Sequence, residues 1–119
     1  MKIYTQLYND VSLTIAEGIT NKKAFSSIKD ALDGVPEHSR KLLWLDCSGL
    51  QQIIHSNTSF SCFINELLAL RAQQVQILLF GLDNTTCRLL KLLKLDSLFQ
   101  QARTLDEAYM LLHRNLVAA

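Results

Sequence analysis

The chain has few of the residues that build phosphate-binding loops and metal sites. Its four glycines are scattered, and no glycine-rich loop follows any predicted strand. Its three histidines lie far apart and lack the spacing of metal ligands. We therefore expect no metal and no cofactor. The glycines are Gly18, Gly34, Gly49 and Gly81, and the histidines are His38, His55 and His113.

The chain also lacks an excess of charge and a long apolar run. Its net charge of +1 argues against a surface that neutralises nucleic-acid phosphates. The first ten residues, MKIYTQLYND, lack the apolar centre of a signal peptide. No apolar run approaches the roughly 18 residues that a membrane span requires. The sequence thus predicts a soluble cytoplasmic protein that neither binds nucleic acid nor inserts into a membrane.

Cysteine is scarce and unpaired in the sequence. Cys47, Cys62 and Cys87 are odd in number and form no Cys-x-x-Cys motif, so we expect three reduced thiols and no disulfide. Cys47 and Cys87 are predicted to be largely buried. Cys62 falls on the polar face of a predicted helix and has no neighbouring charge in sequence to activate it.

Apolar residues are abundant and fall in regular patterns. They make up 49% of the chain, which is enough for a packed core. Alternating residues over 3–8 and 11–16, joined by Asn9-Asp10, predict a β-hairpin. Because both strands alternate, neither is expected to be the fully buried centre of a sheet. The continuous apolar run 42–45 predicts a strand covered on both faces, 75–80 predicts a second buried strand, and Leu98-Phe99 is a candidate short strand.

Helical periodicity fills the intervals between these strands. A helix is predicted over 21–33, with Thr20 as N-cap and Gly34 and Pro36 as the stop. A second follows a loop at 53–58, a third runs from Asp83 or Asn84 to about Lys94, and Thr104–Glu107 has capping-box spacing for the last. The pattern predicts one α/β domain over 1–119, with a mixed sheet of about five strands and helices mainly on one face.

No catalytic constellation accompanies this fold. A receiver domain needs an acidic pair beside its phosphoacceptor aspartate, and Asp46 at a strand end lacks those partners, so we expect it to accept hydrogen bonds from loop N–H groups. His55 and Ser56 are adjacent, and adjacent side chains usually point apart, which disfavours a nucleophile–base pair. The sequence therefore predicts a protein that is not an enzyme.

Three segments in order resemble the STAS domain, the fold of bacterial anti-sigma factor antagonists. Leu45-Asp46-Cys47-Ser48-Gly49-Leu50 matches the family's "D-L-S-x-L/V" element, 89–99 matches "L-x-x-x-G-L-x-x-x-F" with Lys94 in place of the glycine, and 104–108 matches "S/T-x-x-E/D-A". The hairpin and Glu17–Thr20 stand where the family often has "G-x-L-D". The resemblance spans nearly the whole chain and implies a STAS-like fold.

The resemblance also implies a switch site. His55-Ser56-Asn57-Thr58 stands where the family has "D-S-S-G", and Ser56 falls on the serine that a partner kinase phosphorylates. His55, Asn57, Thr58 and Thr20 replace family residues, which depletes the acidic surface that typical partners meet. From the residues alone, a helix N-cap at Ser56 or Asn57 is the favoured interpretation, and only the resemblance favours a phosphorylation site. The residues expected to bind a partner are Thr20, His55, Ser56, Asn57, Thr58, Ser61, Asn65 and Glu66.

The function implied by the resemblance is partner switching in signal transduction and transcription regulation. The chain would bind an anti-sigma kinase-like protein or a phosphatase regulatory protein, and phosphorylation of Ser56 would release it. An alternative is a STAS accessory subunit of a membrane transporter for lipids or anions. The sequence does not set the oligomeric state.

Overall fold

The computed structural model describes residues 2–8, 10–18, 23–49 and 57–118, and for 57–60 and 114–118 it describes the backbone but not the side chains. Nine elements occur within these ranges. In chain order they are β1 (Lys2–Tyr8), β2 (Val11–Glu17), α1 (Lys23–Asp33), β3 (Arg40–Asp46), α2 (Asn57–Ala72), β4 (Gln76–Phe80), α3 (Asn84–Leu92), β5 (Gln100–Ala102) and α4 (Leu105–Ala118).

The strands form one sheet in the order β1-β2-β3-β4-β5. β1 and β2 are antiparallel and meet at the pair Tyr8↔Val11, as expected for a hairpin. The other neighbouring pairs are parallel, with a register that aligns Ile15, Trp44 and Leu78 across β2, β3 and β4. Parallel neighbours require crossover connections, which the intervening helices supply. The predicted mixed five-stranded sheet is confirmed.

Alternating strand residues build two apolar layers. One layer lies under α1, α2 and α3, and the other lies under α4. The prediction of helices mainly on one face is therefore confirmed. The central strands give Leu43, Leu45, Ile77 and Leu79 to the first layer. They give Leu42, Trp44, Leu78 and Phe80 to the second.

The prediction that β2 is not a fully buried strand was wrong. Its residues 11–16 are all buried, since β1 and β3 flank it and helices cover both faces. The polar members of its alternation are buried with hydroxyl partners. Ser12 Oγ lies 3.0 Å from Ser39 Oγ, and Thr14 Oγ1 lies 3.3 Å from Thr5 Oγ1. A hydroxyl that keeps a hydrogen bond can be buried, so alternation did not mean exposure here.

Two boundaries also differ from the sequence expectations. Leu98 and Phe99 precede β5 instead of forming it, and Phe99 packs in the layer beneath α1, α2 and α3. α3 ends at Leu92, because Lys94 has a left-handed backbone with φ of 58° that cannot continue the helix. Within the described ranges, no helix is both long and apolar enough to cross a membrane.

Candidate functional site at the carboxyl edge of the sheet

The start of α2 lies at the carboxyl edge of the parallel strands. An open groove of about 1160 Å³ at the amino edge is lined both by Arg40 and Gln76, where β3 and β4 begin, and by Arg71 at the end of α2. Since the last turn of α2 reaches the amino edge, its first turn lies toward the opposite edge. In open α/β sheets, ligands usually bind at this carboxyl edge.

An apolar stripe fixes which side of α2 faces outward. Phe63, Ile64 and Leu67 are buried, and the Phe63 ring meets that of Phe25 on α1 edge-on, with centroids 5.6 Å apart. Ser61 and Asn65 are exposed as a consequence. The predicted outward face of this helix is confirmed for these two residues.

Glu66, which was predicted to help form the docking face, makes an ion pair within the protein. It is only partly exposed, and its Oε2 lies 2.8 Å from the Nζ of Lys29 on α1. A partner that bound the Glu66 carboxylate would have to compete with Lys29 for it. The pair ties α1 to α2 and, being partly solvated, contributes about 0–1 kcal/mol.

The remaining predicted site residues are only partly described. Thr20, His55 and Ser56 lie outside the described residues. Asn57 and Thr58 are the first residues of α2, so the predicted loop at 53–58 extends too far by two residues, and their side chains are outside the description. Ser56 is therefore the residue that immediately precedes the helix in the chain. The first turn of α2 contains no acidic residue.

Two carboxylates at the carboxyl edge hold the backbone of their own loops. Asp46 Oδ1 accepts a hydrogen bond of 3.0 Å from the N–H of Ser48, which confirms its expected role. Asp83 is the N-cap of α3, and its Oδ1 accepts a 2.7 Å hydrogen bond from Thr86 N–H. Both oxygens thereby stabilise loop and helix geometry.

Gly81 allows the loops after β3 and β4 to approach each other. Its φ is 75°, and a Cβ atom placed there would lie 3.1 Å from Asp46 Oδ1 and 3.4 Å from Ser48 N. Glycine tolerates this backbone conformation and leaves the space open. Sequence reasoning placed Gly81 only at a strand end and missed its contact with the other loop, which depends on the parallel pairing of β3 and β4.

Cys47 is sealed beneath this edge. Its side chain is buried, its N–H donates to Phe80 O at 2.8 Å, and its Sγ lies 3.6 Å from Leu45 O. Burial, followed by the nearby charge of Asp46 and then Cys87, raises the pKa of the Cys47 thiol far above its usual range. The thiol is therefore protonated and poorly nucleophilic at neutral pH.

The other two cysteines, Cys62 and Cys87, are less buried than Cys47. All three cysteines are free, in agreement with the prediction of no disulfide. Cys87 is intermediate in burial, less buried than Cys47, and lies on the first turns of α3, whose buried residues are Thr86 and Leu90. Among the described residues, no group of three His, Cys, Asp or Glu side chains is placed to hold a metal ion.

Comparisons with known proteins bear on the fold. No family model and no curated protein matches the chain. The NMR structure of the protein TM1081 is similar, with a TM-score of 0.55 and 19% sequence identity, over 89% of this chain and 84% of that one. At this identity the similarity shows a shared architecture alone.

Proposed function

We propose that the chain is a non-enzymatic regulatory module that binds a protein partner through the start of α2, and that phosphorylation of Ser56 switches the binding. One observation carries the proposal: α2 begins at the residue after Ser56, and its buried stripe leaves Ser61 and Asn65 open to solvent. The proposed switch residue then directly precedes, in the chain, the helix that carries the proposed docking face.

The physics of a helix start favours a phosphate at this position. The first four N–H groups of a helix have no partner within it, and the helix dipole places partial positive charge there. A phosphoserine adds about two negative charges and three strong acceptor oxygens. The first turn of α2 carries no carboxylate that would repel them. The fold would therefore tolerate the modification while the charge of the docking face changes.

The other reactive groups near this edge support a binding role over a catalytic one. The carboxylates of Asp46 and Asp83 each accept a backbone hydrogen bond, and the thiol of Cys47 is buried and protonated. These groups stabilise the edge and are not arranged around a shared reacting atom.

The class of partner rests on the resemblance to STAS domains. That resemblance suggests an anti-sigma kinase-like protein, or a phosphatase regulatory protein, acting in the cytoplasm. His55, Asn57 and Thr58 stand in place of the family's acidic residue, serine and glycine. The partner would accordingly meet a neutral surface here, and an added phosphate would be the dominant charge on it.

The proposal is tested by purifying the tagged chain from its native cells, measuring its intact mass and identifying what co-purifies. We expect a phosphorylated fraction mapped to Ser56, and a kinase-like or phosphatase-like partner bound to the unmodified fraction. Ser56→Ala should abolish the phosphorylated species, and the matched variant Ser61→Ala should keep it. Phosphate on another residue would contradict the switch, and capture of a transporter ATPase would favour the accessory-subunit alternative.

A further inference from the structure

The free edge of β1 differs from the other edge of the sheet. β1 has seven residues and pairs only with β2 within the described chain, whereas β5 at the far edge has three. On β1, Leu7 is 62% exposed, and Tyr4 and Tyr8 are each 38% exposed. Edge strands are normally protected by short length, charge, proline or a bulge. β1 has one charged residue, Lys2, and no proline.

The hairpin determines which backbone groups point outward. Tyr8 and Val11 close a two-residue turn, and in such hairpins the closing pair exchanges hydrogen bonds across the two strands. Hydrogen-bonded and non-hydrogen-bonded pairs then alternate along the ladder. The N–H and C=O groups of Ile3, Thr5 and Leu7 therefore point away from β2, toward the free side.

We propose that two copies of the chain associate through β1, antiparallel, about a two-fold axis at Thr5, to give one continuous sheet. In this register Thr5 lies opposite Thr5 of the second copy, and Ile3 lies opposite Leu7 of the second copy. The backbone N–H and C=O groups of Ile3, Thr5 and Leu7, which point away from β2, then face the same groups of the second copy. Other registers that keep this match leave one end of the strand unpaired.

The side chains of β1 favour a second copy as the occupant. Opposite residues share a face in an antiparallel pair, so the exposed Leu7 would be covered by Ile3 of the second copy. Lys2 would lie opposite the ring of Tyr8 of the second copy instead of opposite another lysine, which avoids like charges and allows a cation–π contact. The strand is thus complementary to itself, as a two-fold interface requires.

This interface is independent of the proposed switch. β1 is two strands away from β3, and the docking face proposed above lies on the helix that follows β3. Each copy in the pair would keep its own α2 docking face. Loss of the interface should therefore leave partner binding by α2 intact.

A charge exchange at Thr5 tests the proposal. Thr5 is exposed, and its hydroxyl contacts Thr14, so Thr5→Ala is the control for loss of that contact. Sedimentation equilibrium should give a dimer for the native protein and for Thr5→Ala. Thr5→Lys and Thr5→Glu each place like charges face to face, and each should raise the dimer dissociation constant by roughly tenfold or more.

Mixing the two charged variants gives the decisive result. Thr5→Lys and Thr5→Glu should associate with each other at least as tightly as Thr5→Ala associates with itself, because the two-fold position then carries opposite charges. A native protein that is monomeric throughout the concentration range would overturn the proposal. So would a mixture that associates no better than either charged variant alone, since that places residue 5 away from the axis.

Discussion

At the scale of single residues, Cys47 illustrates how position determines chemistry. Three cysteines occur in one short chain, yet only Cys47 is buried among those described. Burial and the adjacent Asp46 raise its thiol pKa, so the folded state holds the proton more tightly than the unfolded chain does. The resulting stabilisation is complete below the unfolded thiol pKa of about 8.5, and it declines as the pH rises above that value.

A thiol titration should therefore separate Cys47 from the other two. In the native protein we expect Cys62 and Cys87 to react quickly and Cys47 to react only on unfolding, because a buried protonated thiol is a poor nucleophile. The double variant Cys62→Ser/Cys87→Ser isolates Cys47 and should show no rapid reaction at neutral pH. Rapid reaction of three groups in the native protein would contradict the burial of Cys47.

Residue roles were predictable where they depend on local sequence. Asp46 was expected to accept a loop N–H and does, since its partner Ser48 is two residues away. Thr104 was expected to begin a capping box, and its Oγ1 accepts the N–H of Glu107 at 3.2 Å. The ion pair of Lys29 with Glu66 and the contact of Gly81 with Asp46 were missed, because each joins segments that only the tertiary fold brings together.

At the scale of elements, the end of α3 is strained in a defined way. Lys94 has φ of 58°, and its N–H bonds to Lys91 O at 3.0 Å. The following N–H, of Leu95, returns to Leu90 O at 2.9 Å. This left-handed turn satisfies carbonyls at the helix end, but a side chain with Cβ makes it unfavourable. Glycine, which stands at this position in the STAS pattern that the sequence resembles, would adopt this backbone without strain.

Lys94→Gly should accordingly stabilise the protein. Removing Cβ relieves the left-handed strain, and the expected gain in the free energy of unfolding is about 0.5–1 kcal/mol after the entropy of glycine is counted. Lys91→Gly, inside the last turn of the same helix, is the matched control and should lose about 1 kcal/mol. Urea unfolding of both variants measures the difference. A loss of stability in Lys94→Gly would mean that the lysine stem has packing value that outweighs the strain.

Most elements could be predicted because their apolar periods are long and clear. The hairpin, the two central strands and all four described helices follow from period two, continuous apolar runs and helical spacing. β5 was displaced by two to three residues because Gln100–Ala102 is short and carries no apolar pattern of its own. Its place is set by pairing with β4, which is a tertiary effect.

At the scale of the whole molecule, the unequal layers explain how the candidate site is presented. Three helices share one face of the sheet and α4 alone covers the other, with the edge-on contact of Trp44 and Tyr109 at 5.0 Å anchoring it. The crossover between β3 and β4 carries α2 along this sheet, with its first turn toward the carboxyl edge. The outward face of α2 could be predicted from its stripe, whereas the role proposed for Ser56 depends on the resemblance to STAS domains.

We propose that charge at residue 56, and not loss of a helix cap, controls partner binding. Ser56→Asp and Ser56→Asn are the matched pair for this test, since both residues are good N-caps and only the first carries charge. Ser56→Ala adds a variant whose side chain can neither be phosphorylated nor cap the helix. All three should keep the fold, with an unfolding free energy within about 1 kcal/mol of the native protein.

The most direct measurement is the affinity of the co-purified partner for these three variants, determined by titration calorimetry beside their melting temperatures. We predict that Ser56→Asn and Ser56→Ala bind the partner like the unmodified protein. Ser56→Asp should bind roughly tenfold more weakly, because one negative charge partly imitates a phosphate on a neutral docking surface. Equal affinity of Ser56→Asp and Ser56→Asn, with both proteins folded, would contradict the switch and leave Ser56 as a helix cap.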